Sequence, residues 1–203
     1  MKLYQTTGAP NPRRVSIFLA EKGISVPTVE INLTKLEHWQ DEFVKLHPRR
    51  RVPVLELDDG TVIAETIAIC RYFEAVQPEP RLFGTSPTEQ GVVEMWQRMV
   101  EIELLMAIQF AFRHLHPRMA EREQPQVKEW GEANKPKVRN FLNFLDGQLD
   151  GAPFVAGQNF SVADITAAVA MDFAVNARIE IPAELKNIAR WRSEISARPS
   201  FKA

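Results

Sequence analysis

The first 77 residues alternate between two spacings of hydrophobic positions. Apolar residues at every second position predict strands, and apolar residues three and four apart predict helices. Asp59-Gly60 separates the last two strands and is a typical signal of a β-hairpin. The predicted strands are residues 2–6, 28–33, 53–57 and 61–64, and the predicted helices are 12–22, 37–46 and 65–76.

This order, βαβαββα, favours one fold class. A parallel β-α-β pair followed by a β-hairpin and a helix is the thioredoxin-type layout, in which helices cover both faces of a small mixed sheet. We therefore predict an α/β thioredoxin-like domain over residues 1–77.

A second region begins after a break near residue 80. Residues 78–85 hold two prolines and a glycine and are predicted to form a linker. Ser86-Pro87-Thr88-Glu89 is a capping box with proline at the first helical position. Residues 86–203 are then predicted to form an all-α domain, with helices at 86–116, 124–149, 166–175 and 184–197, the third preceded by a second capping box, Ser161 to Asp164.

Composition and charge exclude several classes of protein. The chain has 203 residues and a formal net charge of −1, and Arg49-Arg50-Arg51 is its one dense basic run, so we expect no nucleic-acid partner. No apolar run approaches the ~20 residues of a membrane helix, and the chain opens without an apolar leader. One cysteine cannot form an internal disulfide, a zinc cage or a redox dithiol. We therefore expect a cytoplasmic protein with no membrane partner and no metal.

The loop between the first strand and the first helix is the first candidate for chemistry. It reads Ala9-Pro10-Asn11-Pro12 and is followed by Arg13 and Arg14. A helix N-terminus offers N–H groups and a positive dipole end, which suit an anion such as a thiolate. The alternative is that Asn11 only caps the helix and that the arginines are solvated.

The second candidate is Val52-Pro53 together with Glu65-Thr66. If the bond before Pro53 is cis, the Val52 backbone faces out of the sheet and can pair with a peptide-like ligand. Glu65 offers an acceptor for an ammonium group, and Thr66 a hydroxyl and a helix-terminal N–H for a carboxylate. The alternatives are a trans bond, which is commoner, and a simple capping role for Thr66.

Three segments together resemble a known family over nearly the whole chain. They are residues 10–23, residues 51–66 with the Val52-Pro53 and Glu65-Thr66 pairs, and the capping box at 160–164. In this order and spacing they resemble the cytosolic-type glutathione S-transferases, in particular the bacterial theta- and nu-like members.

The resemblance implies roles for individual residues. Pro53 would be cis, the Val52 backbone would pair with the cysteinyl part of glutathione, and Glu65 and Thr66 would hold its γ-glutamyl end. Arg51 and His38 would lie near the glycine carboxylate. It also implies a homodimer, with the 65–76 helix and the helix from residue 86 near the interface.

One departure from the family pattern concerns catalysis. Serine-type members carry a hydroxyl at the position of Ala9, so Asn11 becomes the candidate donor to the thiolate, with Thr7 as the second candidate. The leading hypothesis is a glutathione transferase that acts on a small hydrophobic electrophile. The alternatives are a glutathione-dependent disulfide oxidoreductase or peroxidase, and a non-catalytic interaction protein of the same fold. The sequence does not identify the electrophile.

Overall fold

A four-stranded mixed sheet forms the centre of the first part of the molecule. The computed structural model describes residues 1–202. The strand order is β2-β1-β3-β4, with β1 parallel to β2 and β3 antiparallel to both of its neighbours. The predicted thioredoxin-like order is confirmed, with these bounds: β1 Lys2–Gln5, α1 Pro10–Glu21, β2 Thr28–Glu30, α2 Asp41–Leu46, β3 Val54–Glu56, β4 Val62–Ala64 and α3 Thr66–Val76.

The two faces of the sheet are filled by alternating residues, as strand geometry requires. On one face Val54 is fully buried and packs with Ile31 and with Phe43 of α2. Leu3 and Leu55 alternate with these residues and pair across β1 and β3 on the opposite face, where both are buried. α1 and α3 pack against each other and bury their own apolar residues, which are Val15, Ile17, Phe18, Ile69 and Phe73.

The first two predicted helices differ in their bounds. The predicted helix 37–46 is a 3₁₀ turn, Glu37–Trp39, followed by α2, because Gln40 between them is extended with a ψ of 148°. The predicted helix 12–22 begins two residues earlier, at Pro10. Proline at the first helical position loses no hydrogen bond there, so the helix starts at the first of the two prolines.

A buried lysine joins the end of α1 to the end of α3. The Lys22 ammonium group donates to the carbonyl oxygens of Gln77, Pro78 and Pro80 at 2.8–3.2 Å, and its Nζ lies 2.7 Å from Glu74. Its side chain is 0% exposed. Three carbonyls and one carboxylate compensate the buried charge, which is the condition for burying an ammonium group. The two helices that carry the candidate site are thereby fixed at their far ends.

The second part of the molecule is helical. Its elements are α4 Pro87–Met99, a π-helical segment Val100–Leu105, α5 Met106–Leu115, α6 Lys128–Asp150, α7 Val162–Ala174 and α8 Lys186–Ser196, with short 3₁₀ turns at Pro117–Met119, Val175–Ala177 and Pro199–Lys202. No helix within residues 1–202 is both long and apolar enough to cross a membrane.

The predicted helix 86–116 is interrupted by the π segment. In a π turn residues five apart share a face, so Val100 and Leu105 are buried together with Leu104. The predicted helix 124–149 begins at Lys128, because the preceding residues form a turn that contains a cis Gln124–Pro125 bond.

The contacts divide the chain into two compact units. One comprises residues 1–81 together with the residues from Pro199 onward, and the other comprises Leu82–Arg198. The predicted second domain, 86–203, thus differs at its end, and its last residue lies outside the described part. The 3₁₀ turn Pro199–Lys202 packs on α1, where the Ser200 hydroxyl contacts the Glu21 carboxylate.

A buried carboxylate organises the second unit. Oδ2 of Asp164 accepts hydrogen bonds from the Ser161 backbone N–H at 2.9 Å and from its hydroxyl at 3.0 Å. Oδ1 accepts from the Val155 N–H at 2.9 Å and from the indole N–H of Trp191 at 2.8 Å. Burial raises the pKa of Asp164 to about 6, so the group is charged at neutral pH. One carboxylate therefore connects the start of α7, the preceding loop and α8.

Replacing Asp164 by Asn should lower the free energy of unfolding by about 3 kcal/mol or more, because the new NH₂ group would face two of the four donors. Chemical denaturation at pH 7.5 measures the loss. Asp150→Asn removes an exposed carboxylate and serves as the matched control, with an expected change of under about 0.5 kcal/mol. Equal stability of the two variants would contradict the role of Asp164.

Candidate active site

The first turn of α1 has few free backbone N–H groups. Ala9 is the N-cap and its side chain caps nothing, while Pro10 and Pro12 have no N–H. The Arg13 N–H already bonds to the Ala9 carbonyl at 3.2 Å. Of the first three helical residues, only Asn11 therefore carries a backbone N–H at the positive end of the helix. The alternative that Asn11 is the N-cap is wrong.

Asn11 also joins the starts of two helices. The Thr66 hydroxyl, at the first position of α3, donates to the Asn11 carbonyl oxygen at 3.4 Å. Within α1, the Arg14 guanidinium donates to Oδ1 of the Asn11 side chain at 3.4 Å. The structure thus brings together Asn11 and Thr66, two of the residues that the sequence predicts for the site.

Thr7 is held by a carboxylate. Its backbone N–H donates to Glu30 Oε1 at 2.8 Å and its hydroxyl donates to Glu30 Oε2 at 3.2 Å. The Thr6 hydroxyl donates to Oε1 of the same group at 3.1 Å. The Thr7 hydroxyl proton is therefore directed to Glu30, which makes Thr7 the weaker candidate for a thiolate donor.

The Val52–Pro53 bond is cis, as the resemblance implies. Pro53 is buried, and the pairing of β3 with its neighbours begins at Val54. The Val52 N–H and C=O thus lie just outside the ladder of the sheet, at the end from which α3 starts. Backbone groups in this position can pair with an extended peptide-like ligand.

Glu65 is held in a backbone conformation that L-residues rarely adopt. Its φ is +74° and its ψ is 126°, and it forms the N-cap of α3 without a capping side-chain bond. Such a conformation costs about 1–3 kcal/mol and is concentrated at functional sites. Here it leaves the carboxylate exposed beside the start of α3, next to Thr66. Thr66, the expected cap, is instead the first residue of the helix.

A histidine that the sequence did not single out lies near Glu65. Desolvation lowers the pKa of His47, the Glu65 carboxylate raises it, and Arg49 lowers it, with a net lowering. The Glu65 carboxylate is thus one of the charges that act on the His47 ring. His47 lies close in sequence to the Arg51-Val52-Pro53 motif, which could have drawn attention to it. A loop has no hydrophobic periodicity, however, so the sequence could not place its side chain.

Within residues 1–202, no hydrogen bond, ion pair or ring contact joins His38 and Arg51, the two residues predicted near a glycine carboxylate. His38 is buried and its ring packs edge-on against Trp39 at 6.1 Å between centroids. The Arg50 guanidinium lies 5.2 Å from the centre of the Trp39 ring. Arg51 is exposed. The 3₁₀ turn and the basic loop are thereby joined through Trp39 and Arg50, neither of which the sequence singled out for the site.

The single cysteine and two histidines of the second unit take structural positions. Cys70 is fully buried in α3 of the first unit. His114 and His116 each use Nδ1 to accept a backbone N–H, from Val127 at 3.0 Å and from Arg118 at 3.2 Å. Residues 1–202 contain no group of three or more side chains arranged to hold a metal ion.

Comparison with known proteins identifies the family. The sequence model of the glutathione S-transferase N-terminal domain matches residues 9–76, and that of the glutathione S-transferase C-terminal domain matches residues 100–199. The two-part fold and the cis-proline site are those of a thioredoxin-like, glutathione-dependent class of protein. The chain belongs to the glutathione S-transferase family, which confirms the resemblance seen in the sequence.

Individual relatives cover the chain from end to end. Glutathione S-transferase 2 of Saccharomyces cerevisiae is 41% identical over 205 residues, which span 100% of this chain and 88% of the yeast protein. The crystal structure of yeast Gtt2 has a TM-score of 0.94 and covers 100% of this chain and 99% of its own. A glutathione S-transferase domain-containing protein from Marinobacter aquaeolei has a TM-score of 0.95 at 39% identity, with 98% and 99% coverage.

Glu65→Gln should lower the pKa of His47 further, because it removes the one neighbour that raises it. NMR titration of the histidine ring protons measures this shift in the isolated protein. Glu79→Gln, which removes an exposed carboxylate paired with Arg81, should leave the pKa of His47 unchanged. An unchanged value in Glu65→Gln would contradict the proximity of the two groups.

Proposed function

We propose that the protein binds glutathione in the first unit, stabilises its thiolate at the start of α1, and transfers the glutathionyl group to a small hydrophobic electrophile. The observation that carries this proposal is the first turn of α1, where two prolines leave Asn11 to supply both a backbone N–H and a side-chain amide at a positive helix end. These groups lower the pKa of a thiol that is bound against them.

The remaining residues supply contacts for the rest of the tripeptide. The exposed Glu65 carboxylate suits the ammonium group of the γ-glutamyl end, and the Thr66 N–H and the N-terminus of α3 suit its α-carboxylate. The Val52 backbone pairs with the cysteinyl unit. Arg51 and His38 are the proposed partners of the glycine carboxylate.

The reaction follows from this arrangement. The glutathione S–H loses its proton to solvent, and Asn11 donates hydrogen bonds to the resulting sulfur anion. The thiolate attacks the electrophilic carbon, a C–S bond forms, and a leaving group such as halide departs with its electron pair. The protein contributes no thiol of its own to this step, because its one cysteine, Cys70, is fully buried in α3.

Two further proposals accompany the function. The protein acts as a homodimer, which the exposed apolar residues on α3, α4 and the π segment support: Val76 is 62% exposed, Met95 48% and Ile102 47%. It acts in the cytoplasm, in keeping with a single buried cysteine. Sedimentation of the purified protein tests the first of these proposals.

Calorimetric titration with glutathione tests the binding step. We expect saturable binding below millimolar concentration, and Glu65→Gln should weaken it about tenfold or more through loss of the charged contact.

Two activity assays run in parallel with the titration, one with a chlorinated aromatic compound and one with a glutathionyl disulfide. The absence of binding at millimolar glutathione would exclude every glutathione-dependent function. Disulfide turnover without conjugation would favour the oxidoreductase alternative, which the loss of a hydroxyl at Ala9 also favours.

Asn11→Ala should lower kcat for conjugation by about 10–100-fold, the effect of a charge-assisted hydrogen bond worth ~1.5–3 kcal/mol. Steady-state kinetics with the chlorinated aromatic compound measure it. Thr7→Val is the comparison variant and should lower kcat by less than about threefold, since the Thr7 hydroxyl donates to Glu30. A larger effect of Thr7→Val than of Asn11→Ala would move the donor role to Thr7.

A further inference from the structure

We propose that Arg14 is a positioning residue that orients the Asn11 side chain, so that its NH₂ group and not its oxygen faces the glutathione sulfur. This inference rests on the proposed function. It assigns a role to a buried arginine near the start of α1.

An asparagine side chain has two chemically opposite ends. The Nδ2 end donates and stabilises an anion, whereas the Oδ1 end accepts and repels one. Rotation by 180° exchanges them with little change in shape. Asn11 can therefore serve a thiolate only if something in the protein selects one orientation.

The Arg14 guanidinium makes this selection. It carries five N–H donors and no acceptor, so it can bond only to the oxygen end of the amide. Nη1 of Arg14 donates to Oδ1 of Asn11 at 3.4 Å, which directs Nδ2 to the opposite side. Residues three apart lie on one face of a helix, so the pair is formed within α1 itself.

The setting of Arg14 favours this role over a role in helix stability. A cation near the N-terminus of a helix opposes the helix dipole by a few tenths of a kcal/mol. Arg14 is also 2% exposed, whereas a residue kept for surface charge would be solvated. Burial fixes the guanidinium in place beside Asn11.

A double-mutant cycle tests the proposal through the pKa of the bound thiol, read from the pH profile of kcat/KM and from the ultraviolet absorbance of the thiolate. Arg14→Met should raise this pKa by about one unit and lower kcat/KM roughly tenfold at pH 6.5. It should leave the Kd for glutathione within about threefold of the wild-type value. In an Asn11→Ala background most of the effect of Arg14→Met should disappear.

Arg13→Met is the matched control. It removes a cation from the same turn, but Arg13 is two residues from Asn11 and points in another direction. Whatever its effect on the thiol pKa, that effect should persist in the Asn11→Ala background. If the effect of Arg14→Met on the thiol pKa also persists in the Asn11→Ala background, Arg14 has a general electrostatic or structural role and the proposal is overturned.

A second measurement needs no glutathione and therefore separates this inference from the proposed function. The two Nδ2 protons of Asn11, assigned by their loss in Asn11→Ala, should shift in the NMR spectrum of Arg14→Met, because the bond to Oδ1 is lost. If Arg14→Met does not fold, Arg14→Lys replaces it and should shift the same resonances. Unchanged resonances would overturn the inference even if glutathione binds. A shift without glutathione binding would overturn the proposed function alone.

Discussion

The scarcity of N–H groups at the start of α1 is the constraint on which the candidate site depends. Most helices present several donors at this end, and an anion there is shared among them. Pro10 and Pro12 remove two of these donors, so Asn11 is the only one of the first three helical residues that carries a backbone N–H. The dipole of a twelve-residue helix remains, and it acts where few other groups compete for the ligand.

The rest of the site is held in conformations that local preferences oppose. Val52–Pro53 is cis, and Glu65 has a positive φ although it is not glycine. The sheet places these two segments next to each other. β3 begins directly after Pro53, β4 ends directly before Glu65, and Val54 of β3 pairs with Ala64 of β4. The antiparallel ladder thus places two unusual backbone segments side by side, and packing between α1 and α3 adds Asn11 to them.

Patterns within a few residues predicted much of this arrangement, whereas contacts between distant segments were missed. The capping residue Asp164 and the Val52-Pro53 and Glu65-Thr66 pairs could be recognised because each motif is contiguous. The hydroxyl of Thr7 was left as a candidate because its partner, Glu30, is 23 residues away on another strand. His47 was missed for the same reason, since only the folded loop brings it near Glu65.

If the Asn11 amide is the donor, as proposed above, a buried arginine beside it has a chemical reason. A hydroxyl carries donor and acceptor on one atom and rotates to suit an anion, so it needs no orienting partner. An amide separates these functions by its two ends, and an anion alone would have to select the correct end each time it binds. A fixed donor on Oδ1 makes that selection before the ligand arrives, so the reorganisation is completed during folding. In the proposed function Ala9 and Arg14 are complementary: Ala9 offers no hydroxyl at the N-cap, which leaves the amide as the donor, and the guanidinium gives that amide its direction.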